Sequence, residues 1–94
     1  MPCITIEVKG KPELVCTDLK ADKYTVGVNE PVKVTATIEN RGDAEGSAVF
    51  NIEVNGEWGE PQTTPTLKPG ESTTLTWTLQ FPTPGRYEVC VYRV

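Results

Sequence analysis

Between Glu30-Pro31 and Asn40-Arg41-Gly42-Asp43 every second residue is apolar: Val32, Val34, Ala36 and Ile38 alternate with Lys33, Thr35, Thr37 and Glu39. Successive side chains of an extended strand point to opposite faces, so a period of two writes one apolar face and one polar face. Such a face is buried by stacking it on a second layer. The pattern recurs in Ala48, Phe50, Ile52 and Val54, which alternate with Val49, Asn51 and Glu53 up to the turn dipeptide Asn55-Gly56. It returns in Leu75, Trp77, Leu79 and Phe81, set inward against Thr74, Thr76, Thr78 and Gln80. A last run sets Tyr87, Val89 and Val91 against Glu88, Cys90 and Tyr92. Near the start, Ile4, Ile6 and Val8 alternate with Cys3, Thr5 and Glu7, and after Gly10-Lys11-Pro12 comes the run Glu13 to Leu19. The stretch Glu57 to Lys68 contains Pro61 and Pro65 and is predicted to be an irregular edge strand or a crossing between sheets.

Composition agrees with the pattern. Thirteen Thr and eleven Val stand against five Leu and four Ala, so β-branched residues replace helix formers. Turn signals at Pro69-Gly70 and Pro82-Thr83-Pro84-Gly85 cut the chain into short strands. The expectation is an all-β sandwich of about seven short strands in two sheets, with 94 residues enough for one domain. Histidine is absent, which removes the commonest general base, the commonest zinc ligand and any Ser-His or Cys-His nucleophile pair. The carboxylates are spread along turns and polar faces with no apolar pocket implied to tune them, so no catalytic, cofactor-binding or metal site is expected. Nine Lys and Arg against thirteen Asp and Glu, with no basic cluster, argue against a nucleic-acid partner. No apolar run reaches the length of a membrane span, and the first residues lack the charged and apolar regions of a secretory signal. The chain is thus expected to stay where it is made or to be a mature form.

From Lys11 onward the sequence resembles the CARDB family of bacterial and archaeal cell-surface proteins. The resemblance is carried by Pro12-Glu13-Leu14-Val15-Cys16-Thr17-Asp18-Leu19, by the run from Asn29 to Ala44, by the run from Leu67 to Trp77, and by Pro84-Gly85-Arg86-Tyr87-Glu88-Val89. It implies an immunoglobulin-like Greek-key sandwich, without enzymatic activity, that serves outside the cell or at its surface as a spacer, adhesion or assembly module. Domains of this family continue after the Gly-x-Tyr strand into one further strand, whereas here residues 87–94 end the sequence. Residues 1–10 instead resemble the closing strand of a preceding domain, and residues 11–94 resemble a sandwich lacking its last strand.

Two readings follow for residues 1–10. The extra strand folds back on its own domain, or it fills the vacancy of a neighbouring subunit by β-strand addition, head to tail. A two-residue linker favours the neighbour, because an eight-residue strand alone spans more than about 25 Å. In the second reading Ile4, Ile6 and Val8 pair antiparallel with Tyr87, Val89 and Val91. Cys3 and Cys90 then share the outer face, where a bridge between subunits is geometrically feasible, with Cys16 left over. The bland alternative leaves all three cysteines as small half-buried hydrophobes.

The partner expected on this account is protein, either another copy of the chain or another surface protein. Rival functions are a monomeric spacer or a binding module for carbohydrate or protein, including a virion decoration domain, that uses Trp58. Trp58, among Gly56, Glu57, Gly59 and Glu60, either stacks on a sugar ring or partner surface or folds over an open end of the sandwich. Trp77 is expected in the core. Asn40, Asp43 and Glu45 put three oxygen donors on one turn, read as solvated rather than calcium-binding for want of a defined spacing. Tyr87 looks like the corner tyrosine of Greek-key sandwiches, whose hydroxyl satisfies a loop carbonyl.

Overall fold

The computed structural model describes residues 2–8 and 10–94. Its strands are β1 (Leu14–Ala21), β2 (Val32–Asn40), β3 (Val49–Val54), β4 (Glu57–Trp58), β5 (Gln62–Thr63), β6 (Ser72–Leu79) and β7 (Val89–Arg93), with no helix among the described residues. They form two sheets: one has the order β1-β2-β6, and in the other β3 is flanked by β7 on one side and by β4 and β5 on the other. All these pairings are antiparallel.

The alternation decides which side chains meet between the sheets. Val32, Val34, Ala36 and Ile38 of β2, Phe50 and Ile52 of β3, and Leu75 and Trp77 of β6 are all buried in one core cluster with Leu14, Ala48 and Leu67. The intervening threonines face out: Thr35 lies opposite Thr76, and Thr37 opposite Thr74. β1 keeps its apolar side inward by a bulge. Cys16 pairs with Ile38 but Asp18 pairs with Thr37, so one extra residue shifts the apolar positions from Leu14 and Cys16 to Leu19 and Ala21.

Two turns are built as the sequence predicts. Asn55 and Gly56 both have positive φ, 49° and 88°, as a two-residue hairpin between β3 and β4 requires. Pro69-Gly70 turns with Gly70 at φ 84°, and the Glu71 N–H donates to the Lys68 carbonyl at 3.0 Å. The stretch predicted as an edge strand or crossing contributes the short edge strands β4 and β5. It is fastened to the opposite sheet where Trp77 Nε1 donates to the Glu60 carbonyl at 2.7 Å and Gln62 Nε2 to the Thr76 carbonyl at 2.7 Å.

Asn40 departs from the solvated turn expected of it. It stands at the fifth inward position of β2 and is fully buried. Its Oδ1 accepts the N–H groups of Glu13 (3.1 Å) and Gly42 (2.9 Å), while Nδ2 donates to the carbonyls of Ala44 and Leu67, both at 2.9 Å. One amide thus pairs four backbone groups from three segments, as a buried polar side chain must. Gly42 fits this knot because a Cβ there would meet the Lys11 carbonyl oxygen and the Glu13 nitrogen.

Candidate functional site

β7 is an edge strand. Along its ladder with β3, Glu88 accepts from the Asn55 N–H (3.0 Å) and the Val94 N–H donates to the Val49 carbonyl (2.8 Å). Backbone groups alternate in direction along an antiparallel strand. Even-numbered residues therefore turn their N–H and C=O toward β3, while Val89, Val91 and Arg93 turn theirs outward. Among the described residues no strand pairs with that outer edge. An exposed edge of this kind is a template for another strand.

Beside the start of β7 the sandwich is open. A groove of about 900 Å³ runs between the end of β1 and the segment leading into β7. Leu19, Ala21, Val26, Phe81, Tyr87 and Val89 give it apolar walls. Val32 and Val34 of the core also line it, so the groove exposes the interior between the sheets. Tyr87 is held there by a stacked contact with Phe81 (centroids 4.3 Å apart) and by its hydroxyl, which donates to the Thr83 carbonyl at 2.7 Å. The latter is the corner-tyrosine bond expected from the sequence.

Residues 2–8 carry no ladder to any strand. Ile4, Ile6 and Val8 are 87%, 78% and 85% exposed. The alternation that predicts a strand is present, but an extended segment is held as a strand by pairing with an edge, and residues 2–8 pair with none in the single chain. The N–H of Gly10 donates to Asp43 Oδ1 at 2.9 Å and marks where the sandwich begins.

The outer face of the second sheet carries the remaining candidates. Trp58 is 59% exposed, on β4 rather than over an end of the sandwich, and meets Tyr92 of β7 edge-on at 5.7 Å. Cys90, on the same face, is half-buried, and its Sγ lies 3.6 Å from Glu88 Oε1. The Tyr92 hydroxyl is held above the ordinary phenol value, first by its hydrogen bond to the Cys90 side chain and then by the negative charge of Cys90, Glu53 and Glu88. Cys16 lies on β1, and burial pushes its thiol up. No group of three or more Cys, Asp or Glu side chains that could hold a metal ion occurs among the described residues.

A profile of the CARDB family matches residues 11–93. The chain belongs to the CARDB family. CARDB domains are non-catalytic, immunoglobulin-like modules of cell-surface proteins. Among solved structures the chain is similar to the CARDB domain of a Pyrococcus furiosus protein in complex with di-metal ions. That likeness has a TM-score of 0.77 at 24% identity and covers 87% of this chain and 73% of the other. β-Glucosidases from Erythrobacter marinus and Listeria innocua contain a region of the same fold. Both have TM-scores of 0.67, at 19% and 20% identity, over 73% and 88% of this chain but only 10% and 16% of the enzymes. Among curated proteins nothing matches the sequence. The CARDB match begins at Lys11 and leaves residues 1–10 outside it. The groove is not readable in the sequence; the last run, Tyr87, Val89 and Val91, is the one expected from the sequence to receive a further strand, and of these Val89 and Val91 lie on β7 while Tyr87 lies in the segment leading into it.

Proposed function

We propose that this CARDB chain is a non-enzymatic structural or adhesion module acting outside the cell, whose subunits join head to tail by donating residues 2–8 to the open sheet of the next copy. The observation that supports this reading is the unpaired outer edge of β7 above an apolar groove, in a chain that also exposes Ile4, Ile6 and Val8 at strand spacing. Strand addition would pair the outward backbone groups of β7 and bury the three side chains, each worth about 1.5–3 kcal/mol when fully removed from water. Donor and acceptor surfaces differ, so the contact is heterologous and propagates into a filament unless it closes into a ring. Light scattering at two concentrations tests it. The full chain should grow with concentration while a chain lacking residues 1–10 should not; equal masses for both at every concentration would sink the reading.

A second reading rests on Trp58, whose exposed ring beside Tyr92 offers an aromatic surface to a sugar or a partner protein. It predicts glycan or protein binding that is lost in Trp58→Ala and is indifferent to residues 1–10. A monomeric spacer would show neither assembly nor binding.

A further inference from the structure

A donated strand could lie on β7 in several registers, and β7 itself restricts the choice. Antiparallel pairing is the more stable per residue and is the mode of every ladder in the fold. Apolar side chains must enter the sandwich, so the even-numbered Ile4, Ile6 and Val8 must stand opposite odd-numbered positions of the acceptor. That leaves registers separated by steps of two residues.

One register satisfies both the groove and the outward edge of β7. With Ile4 opposite Val89, Ile6 falls opposite Tyr87 and Val8 opposite Gly85, and all three acceptor residues line the groove. Moving the strand two residues toward Val94 sets Glu7 against Glu88, a like-charge opposition that costs stability, whereas the first register sets Glu7 against Arg86. Moving it four residues the same way takes Ile4 and Ile6 to Arg93 and Val91, which do not line the groove. Moving it two residues the other way sets Ile4, Ile6 and Val8 opposite Tyr87, Gly85 and Thr83, which keeps the groove but leaves only Pro2, with no N–H to give, opposite Val89 and so takes the ladder off β7.

The favoured register has a chemical consequence. Cys3 of one copy stands opposite Cys90 of the next, both on the outer face. Because Cys90 spends its backbone groups on β3, the two form a non-hydrogen-bonded pair, in which opposed Cα atoms approach to about 4.5 Å. This is within the span a disulfide accepts. We infer that the donated strand lies antiparallel on β7 with Ile4 opposite Val89, and that Cys3 and Cys90 of adjacent subunits join in a disulfide that locks the junction. This rests on the strand-donation reading.

A disulfide such as oxidised glutathione supplies the oxidant. One cysteine forms a mixed disulfide and releases a glutathione thiol. The thiolate of the other then attacks the cysteine sulfur of that bond and releases the second. The two cysteines thereby lose two electrons and two protons, and oxidised glutathione gains them as two thiols. Cys16, on β1 of the other sheet, stays outside the exchange.

The test mixes isotopically light and heavy full-length chains, measures their mass by light scattering in reductant, then oxidises them with glutathione disulfide and maps the linked peptides. A light–heavy Cys3–Cys90 peptide is expected. The oxidised ladder should vanish in Cys3→Ser and in Cys90→Ser, and persist in Cys16→Ser. If the chains assemble in reductant but no Cys3–Cys90 link forms, or it forms only within one chain, the register is wrong while strand donation stands. If they neither assemble nor cross-link, strand donation fails and takes this inference with it.

Discussion

Val89 stands opposite Val54 in the β3–β7 ladder, and its side chain packs against the core while its own N–H and C=O point the other way. The residue is therefore finished on one side and open on the other. Apolar burial and one ladder hold β7 in place; the outer row of backbone groups, from Val89 to Arg93, is exposed to a second strand. The Ile4, Ile6, Val8 series is the segment of this chain whose pattern fits that row.

Replacing Ile6 with Asp places a charge at the centre of the donated strand. In the single chain Ile6 is exposed, so thermal stability should change by less than about 0.5 kcal/mol. Self-association measured by sedimentation should fall at least tenfold, because the position opposite Tyr87 would set a carboxylate against the apolar walls formed with Phe81 and Val89. An Ile6→Val chain should associate nearly as well as the parent.

Asn40→Ala leaves the Glu13 and Gly42 N–H groups and the Ala44 and Leu67 carbonyls without their side-chain partner. Unpaired groups at a buried site cost about 1–3 kcal/mol each, and partial access of water to the loop reduces the sum. The expected loss is about 3 kcal/mol, read in urea unfolding, with a fall in Tm of about 12–24 °C for a domain of this size.

Tyr87→Phe keeps the ring against Phe81 and removes only the hydroxyl bonded to the Thr83 carbonyl. The site is part-exposed, so a loss of about 1 kcal/mol or less is expected in the same unfolding experiment. Assembly should survive, since the apolar wall of the groove is intact.

The Cys16 thiol is held above the ordinary value of 9.0, chiefly by burial. A folded-state value raised above the unfolded one means the folded chain prefers the neutral thiol. The associated stability is fully present below the unfolded value and is lost as pH rises through the folded one. Urea unfolding at increasing alkalinity should show that decline, and Cys16→Ser should lessen it. At pH 8 iodoacetamide should modify Cys16 more slowly in the folded chain than in urea.

Much of the sandwich was legible because it is written in a period of two. The inward positions of β2, β3 and β6 follow directly from alternation, and the turns at Asn55-Gly56 and Pro69-Gly70 from residues that tolerate positive φ. The bulge in β1 was hidden because an extra residue changes phase without changing composition. Asn40 was misread for a related reason: next to Arg41-Gly42-Asp43 its type suggests a turn, and only the approach of two distant segments, at Glu13 and Leu67, makes it a buried knot. The free edge of β7 depends on which strands neighbour it, a property of topology rather than of any local run, and the sequence points toward it only through the family resemblance, which implies a missing last strand. Trp58 was ambiguous because its loop is polar on both sides, and its exposure was settled by the pairing of β4 with β3.

Amide hydrogen exchange along β7 and the residues leading into it tests strand donation most directly, since the outward N–H groups of Tyr87, Val89 and Val91 are the ones a donated strand would pair. In concentrated full-length chain these amides should exchange at least tenfold more slowly than in the Ile6→Asp variant, with matching protection at Ile4 and Ile6. Assembled chains whose Val89 and Val91 amides exchange as fast as those of the variant would contradict the account.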